Sequence, residues 1–436
     1  MSSLSEAEKR FSLPTYETFA FWVYVLGVAM TALGPIAHYI GWTFALISLV
    51  YGRIRYNAPL SIKLQPEGRR IICFLVLFLL WSMFAHIPYI DSFYIWGKGA
   101  SIPLEFLTGL YLAMRLINTT KKRKFFGLAV VAVNLVFCFD VMFRPDFQIL
   151  GWNGSLDNGN AVALYSLLAM PFFFCYALWF FKNNIFIKYF LCTTSLLLIF
   201  FSFSSGAWTA AFFQIMIFVY YSFKFKKVSI KALGVFSVLF CVLLTVFFFS
   251  YTKEYLSYFK REINQLTSIN NSEVLTTNRI YTWKAGIVLA SDHLISGNGW
   301  GTFEDKFRNN FNYLKEKIRY NGAEIFVQPH NMYISILYSG GIPALFLFLI
   351  AFVLSLKKSW TGLKDDAIYP DDIPWHLICF ILMVSMAIYG TNGDVFEARR
   401  DIAVFFWACW GLLLVMPESD KHSSKGGDKI ENPSLC

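Results

Sequence analysis

The chain is poor in charge. Only 15% of its 436 residues are Asp, Glu, Lys or Arg, against about 25% in a soluble globular protein. Polar stretches are correspondingly few, which excludes an ordinary water-facing domain. The eight cysteines show no C-x-x-C spacing, and all but Cys436 sit inside apolar runs. They read as buried small hydrophobes rather than disulfides or metal ligands. There is no H-E-x-x-H, no D-x-D pair on the polar loops, no Walker A loop and no dinucleotide fingerprint, so no metal and no cofactor is expected. The formal charge of +10 gathers on no basic soluble face, which argues against a nucleic-acid partner.

Apolar residues are abundant: 56% of the chain is hydrophobic and 19% aromatic, with 47 Phe. A membrane-crossing helix needs roughly 20 apolar residues. Runs of that kind occur at about 18–34, 35–52, 71–91, 97–117, 125–143, 160–181, 185–203, 206–223, 228–250, 332–356, 374–391 and 401–416. The reading is an all-α polytopic bundle of about twelve transmembrane helices in a lipid bilayer. Gly34-Pro35 splits the first long run in two. That run is too long for a signal-peptide core and reads as an uncleaved first span. Lys and Arg cluster at Arg53–Arg70, Lys121–Lys124, Lys182–Lys188, Lys224–Lys227, Lys357–Lys364 and in the tail. With twelve spans every cluster falls on one side, which the positive-inside bias makes cytoplasmic. The domains are then spans at 1–250, one large outer loop at 251–331, spans at 332–416 and a polar cytoplasmic tail at 417–436.

The outer loop has helical periodicity. Phe303, Phe307, Phe311, Leu314 and Ile318 recur on one face, as do Leu256, Phe259, Ile263 and Leu266. Its chemistry concentrates at three places. Gln328-Pro329-His330-Asn331 leads into the tenth span, where an imidazole can take a proton from a hydroxyl near neutral pH. A helix-capping His is the plain alternative. Arg279 opens a helix carrying Trp283 and Ile287, followed by Gly297-Asn298-Gly299-Trp300-Gly301. Arginine grips phosphate with a planar fork, and glycines allow close backbone approach. The last outer turn holds Asp394, Glu397, Arg399, Arg400 and Asp401, where a salt link competes with a substrate role. Arg144, Asp146 and Asn158–Asn160 lie on the same side. His38, His86 and His376 stand isolated and read as structural. Asp140 is the clearest mid-span charge, the kind of feature a transporter would need.

Taken together, Arg279 with Trp283, the Gly297–Phe303 run, and His330-Asn331 ahead of Gly340-Gly341-Ile342-Pro343 resemble the O-antigen ligase and polymerase superfamily. The ligase branch is favoured because one large outer loop is present rather than two. The resemblance implies a glycosyltransferase-C-like helical bundle at the bacterial inner membrane with a periplasmic active face. It implies a metal-independent enzyme that moves a glycan from undecaprenyl pyrophosphate to lipid A-core in lipopolysaccharide biosynthesis. The alternatives are a polymerase extending the lipid-linked glycan and a polysaccharide transporter or flippase. Under the resemblance His330 and Asn331 are catalytic. Arg279, Trp283, Asp394, Arg400 and Arg144 bind pyrophosphate or glycan. One position departs from the pattern. Ser205 stands where the family commonly has an arginine, so either another cation serves, with Arg144, Arg308 and Arg400 as candidates, or donor binding differs.

Overall fold

The computed structural model describes residues 6–34, 36–87, 93–143, 156, 159–231, 234, 237–238, 240–242, 260, 263–264, 279–320, 322, 325–368 and 372–416. Among them there is no strand. The helices are α1 (Glu6–Ala29), α2 (Ala37–Tyr56), α3 (Pro66–Phe84), α4 (Phe93–Leu116), α5 (Thr120–Phe143), α6 (Gly159–Cys175), α7 (Ile185–Phe201), α8 (Ser205–Lys224), α9 (Arg279–Ser291), α10 (Phe303–Asn309), α11 (Phe311–Ile318), α12 (Met332–Ile368), α13 (Trp375–Tyr389) and α14 (Arg400–Val415). A helix lies at each of the other expected apolar runs, and in the ninth the described residues 230–231, 237–238 and 240–242 are helical too. Most of that run, with 251–259, Arg144, Asp146, Asn158 and the tail, is outside the described residues.

Among the described residues four stretches are long and apolar enough to cross a membrane: Thr120–Val141, Gly159–Phe180, Ser205–Lys224 and Met332–Asp366. Shorter apolar helices run over Tyr16–Ala32, Ile185–Phe201 and Trp375–Tyr389.

Local chemistry sets the helix ends. Gly34 lies in the break between α1 and α2, and the two pack as a hairpin so close that a Cβ on Gly27 would meet Gly41 Cα at 2.9 Å. Pro66 occupies the first turn of α3, where its missing N–H costs nothing. The Asn184 side chain accepts from Ile187 N at 3.0 Å and caps α7. Helix α6 is buried along its whole length, as expected of a helix that is apolar all round. With α13 and α14 it forms the centre of the bundle. Phe106, Phe348, Phe396, Trp407 and Trp410 fill the middle, with Trp407 and Trp410 stacked at 5.1 Å. The periphery is the reverse. Ile40, Phe44, Ile47 and Ile54 of α2, and Phe212, Phe213 and Met216 of α8, are exposed. An apolar surface of that extent needs lipid rather than water against it.

Three sequence expectations change here. The helix expected over 303–318 is two, α10 and α11, parted at Asn310, although Phe303, Phe307, Leu314 and Ile318 are buried on one side as anticipated. The tenth span is interrupted: Gly341 takes φ 72°, ψ −173° and divides α12 into 332–340 and 342–368. Among the cysteines, Cys138, Cys175, Cys379 and Cys409 are buried, but Cys73 and Cys241 are exposed, on helix faces where apolar neighbours are exposed too.

Candidate functional site

The break in α12 is what seats the outer loop. Gly297, Gly299 and Gly301 all take positive φ, a conformation only glycine adopts cheaply. Asn298 N and Gly299 N donate to Tyr338 O (2.7 Å) and Ser339 O (2.9 Å), and Ile342 N donates to Leu294 O (2.7 Å). These bonds satisfy backbone groups that the interruption frees. Thr302 Oγ lies 2.8 Å from Tyr338 Oη. A second core of Leu289, Phe303, Phe307, Leu314 and Phe326 closes over Tyr338, so the loop and the first part of α12 form one packed body. His86 is buried against Gly299, which fits a structural role. His376 is not isolated: it faces Asp366 at 3.2 Å.

Arg279 and His330 meet at the mouth of this body. Arg279 is the first residue of α9, and its Nη1 donates to the Asn392 carbonyl. The Thr282 hydroxyl donates to Pro329 O (2.8 Å) and Trp283 Nε1 to His330 O (3.4 Å). Helix α9 thus holds the backbone on both sides of the histidine's peptide. His330 has φ 53°, a left-handed conformation uncommon outside glycine and asparagine. Its Nδ1 lies 3.2 Å from the Gln328 amide. The atom nearest Nδ1 is Gln328 Nε2, and an amide N–H can only donate, so Nδ1 accepts and the neutral ring carries its proton on Nε2. Burial lowers the His330 pKa to about 4, with Arg279 and Arg399 adding to the effect. The imidazole is therefore neutral at physiological pH.

Asn331 is engaged with the backbone. Its Oδ1 accepts from Tyr333 N (3.0 Å) and Ile334 N (3.1 Å), capping α12, while Nδ2 donates to Thr391 O (2.8 Å). Met332 N also donates to Gly390 O (2.8 Å). The last outer turn is thereby tied to the histidine's strand of chain.

Within that turn the two carboxylates are buried. Asp394 accepts from the Ser335 hydroxyl and from Glu397 N (3.1 Å). Glu397 accepts from Gly301 N (2.9 Å), linking the turn to the glycine run. Burial raises the pKa of both, and for Glu397 the neighbouring Asp394 raises it further. Asp394 therefore faces inward as a fastening.

Arg400 points elsewhere: its Nη1 is 3.6 Å from Glu105 of α4, which also accepts from Tyr39 Oη (2.8 Å). Glu105 is a mid-helix carboxylate that the sequence reading passed over. Arg308 pairs with Glu304 (2.7 Å) on an exposed surface. Asp140 sits in the last turn of α5, near a helix end rather than mid-span.

Beside Arg400 in the chain, Arg399 is within electrostatic reach of the histidine. It acts electrostatically on His330 and on Tyr389, and Arg279 acts on the same two groups. The start of α8 is next to them, since a Cβ on Gly206 would lie 3.3 Å from Asn392 Cβ. Ser205 therefore lies beside Arg279's acceptor. Tyr389 Oη reaches Asn160 O at the start of α6 (3.3 Å). The starts of α6, α8, α9, α12 and α14 thus converge on two arginines. Helix starts carry partial positive charge, so the whole arrangement favours an anion. Among the described residues no three His, Cys, Asp or Glu side chains gather as a metal would require.

Residues 190–349 match the family model described as O-antigen ligase. The matched stretch contains Arg279, Trp283, the glycine run, His330, Asn331 and Gly341; the turn carrying Asp394 and Arg399 lies beyond it. No curated protein matches the chain. The family match and the apolar helices describe a multi-pass membrane protein, and the family fits glycan transfer of ligase or polymerase type.

Proposed function

From an O-antigen ligase domain over residues 190–349, we propose that this protein is the ligase itself, joining a polysaccharide carried on undecaprenyl pyrophosphate to a sugar hydroxyl of lipid A-core. The observation that carries the reading is that helix α9 brings Arg279 onto Asn392 O and bonds the backbone at Pro329 and His330, so that arginine, histidine and the 390–400 turn share one mouth of the bundle. The reaction needs a base for the acceptor and positive charge for the leaving diphosphate, and needs no cofactor. In the proposed topology twelve helices span the inner membrane, 251–331 is periplasmic, and the spans at 1–250 and 332–416 flank it, with 417–436 cytoplasmic.

In a single displacement the acceptor oxygen attacks the anomeric carbon and its proton passes to the unprotonated ring nitrogen of the neutral His330. As the new C–O bond forms, the bond to the diphosphate oxygen breaks. The negative charge that grows on the diphosphate meets Arg279 and Arg399, which stabilise it more as it develops. Arg399 takes the part that Ser205 cannot. Gln328 orients the ring, and Asn331 fixes its position through the backbone. Asp394 and Glu397 hold the turn that presents Arg399.

The electrostatics also order the events. Burial first, and two arginines after it, depress the histidine's basicity while no anion is present. A bound diphosphate cancels their field, so donor binding raises the His330 pKa and readies it for the acceptor.

The test is a lipopolysaccharide gel of a deletion strain. Lipid A-core lacking O-chain, with lipid-linked polymer accumulating, supports the ligase. Core carrying a single repeat identifies a polymerase instead.

A further inference from the structure

The opposite ends of α6 and α8 hold a feature unconnected with glycan transfer. After Cys175, α6 continues as a π-helical turn over Tyr176–Phe180. Such turns widen a helix and recur at functional sites. Here the widened turn borders a cavity of about 230 Å³ between α6, α7 and α8. Its wall is mostly apolar and includes Leu178, Cys192 and Phe218, but Lys188 and Lys227 also line it. Lys227 lies over the Trp179 ring at 5.7 Å. The Ser222 hydroxyl, on a residue only 1% exposed, lines the cavity without a hydrogen-bond partner among the described residues. A buried hydroxyl without a partner is costly, and an incoming polar group would satisfy it.

Charge identifies what that group is. Lys182, Lys188, Lys224, Lys226 and Lys227 gather at this end of the three helices, and the chain has no Asp or Glu between Asp157 and Glu254. This segment brings no carboxylate of its own to meet them. An apolar cavity alone would take any hydrocarbon; lysines alone would take any anion. The combination fits a molecule that is both.

We propose that this cavity binds one anionic phospholipid, with an acyl chain between α6, α7 and α8, its phosphate between Lys188 and Lys227, and a headgroup or ester oxygen on Ser222. Basic pockets between membrane helices bind lipid phosphates in this manner.

The test uses the full-length protein in detergent, titrated with mixed micelles of dioleoylphosphatidylglycerol, with dioleoylphosphatidylcholine, or with sodium phosphate, and read by native mass spectrometry. Phosphatidylglycerol should bind and survive delipidation, and the other two should bind far more weakly. Lys188→Gln with Lys227→Gln should weaken that binding about thirtyfold. Lys315→Gln with Lys317→Gln, in the loop, should leave it unchanged. Ser222→Leu fills the cavity while sparing both lysines and should also weaken binding, which keeps the test open if the double variant misfolds. Equal binding of phosphatidylcholine, equal binding of free phosphate, or undiminished binding in both cavity variants would overturn the proposal.

Discussion

Arg279 offers a planar fork of donors, one of which is satisfied by Asn392 O while the head stays beside Tyr389 and His330. Its replacement by Ala removes a donor aimed at developing charge and should lower transfer by about 10²–10³-fold with the protein still present in the membrane. Lysine should recover little, because a single ammonium cannot span two phosphate oxygens. Full activity in Arg279→Ala would remove this residue from the site. His330 invites a cleaner comparison. Asn tolerates the left-handed backbone that His330 adopts, so His330→Asn leaves the fold in place and tests the ring alone. Loss of a general base should cost about 10²–10⁴-fold in turnover; an unimpaired His330→Asn would leave the imidazole as a structural element. The pH profile follows from the lowered pKa. The ring is neutral above about pH 4, so kcat/KM should fall only as pH drops toward that value. The limb in kcat should lie higher, because bound diphosphate raises the pKa. Coincident limbs would contradict activation by the donor. Glu397 gives a stability counterpart. Its pKa is raised in the folded protein, so its contribution is complete below the ordinary glutamate value and is lost as pH rises through the raised one. Glu397→Gln, neutral throughout, should flatten that decline in a thermal-unfolding series.

At the level of the element, the glycine run and the break in α12 can be told apart by substitution. Gly301→Ala meets open space and should cost only the left-handed strain, about 1–2 kcal/mol. Gly341→Ala would place a Cβ 2.3 Å from Ile295 O, so the two backbones must separate. It should lower the melting temperature well beyond Gly301→Ala; equal shifts would mean that the break is not a packing constraint. The sequence pattern foretold the buried face of α10 and α11 because four large apolar residues at helical spacing leave little choice. It did not foretell the interruption at Gly341. Hydropathy runs unbroken through that point, and the cause lies some forty residues upstream in the glycines that dock there. The same limit explains Arg399 and Arg400. Both are arginines at the start of α14, and spacing cannot say which head turns to Glu105. Asp394 was visible as a costly charge beside two spans, yet its service to Ser335 and Glu397 N is decided by a fold in the turn.

For the whole molecule, the testable matter is sidedness. Reporter fusions after Lys317 and after Lys364 should report opposite compartments, periplasmic for the first and cytoplasmic for the second. A shared compartment would sink the proposed twelve-span arrangement. The helices at the described runs were legible from run length and composition, since a bilayer imposes few alternatives; which of them lies at the centre and which faces outward was not. The catalytic mouth was legible only as a set of separate stretches. What unites them is that the starts of several helices are packed together, a fact of three-dimensional packing with no local signature.

The docking of Gly297–Gly301 onto the break in α12 also bears on how such proteins can be recombined. Leu294 O and the carbonyls of Tyr338 and Ser339 exchange bonds across that seam, so neither side keeps its shape without the other. A chimera that swaps the outer loop at its apparent ends, leaving α12 native, would join mismatched halves of one seam. The transferable module runs from Arg279 through Pro343, across the break in α12.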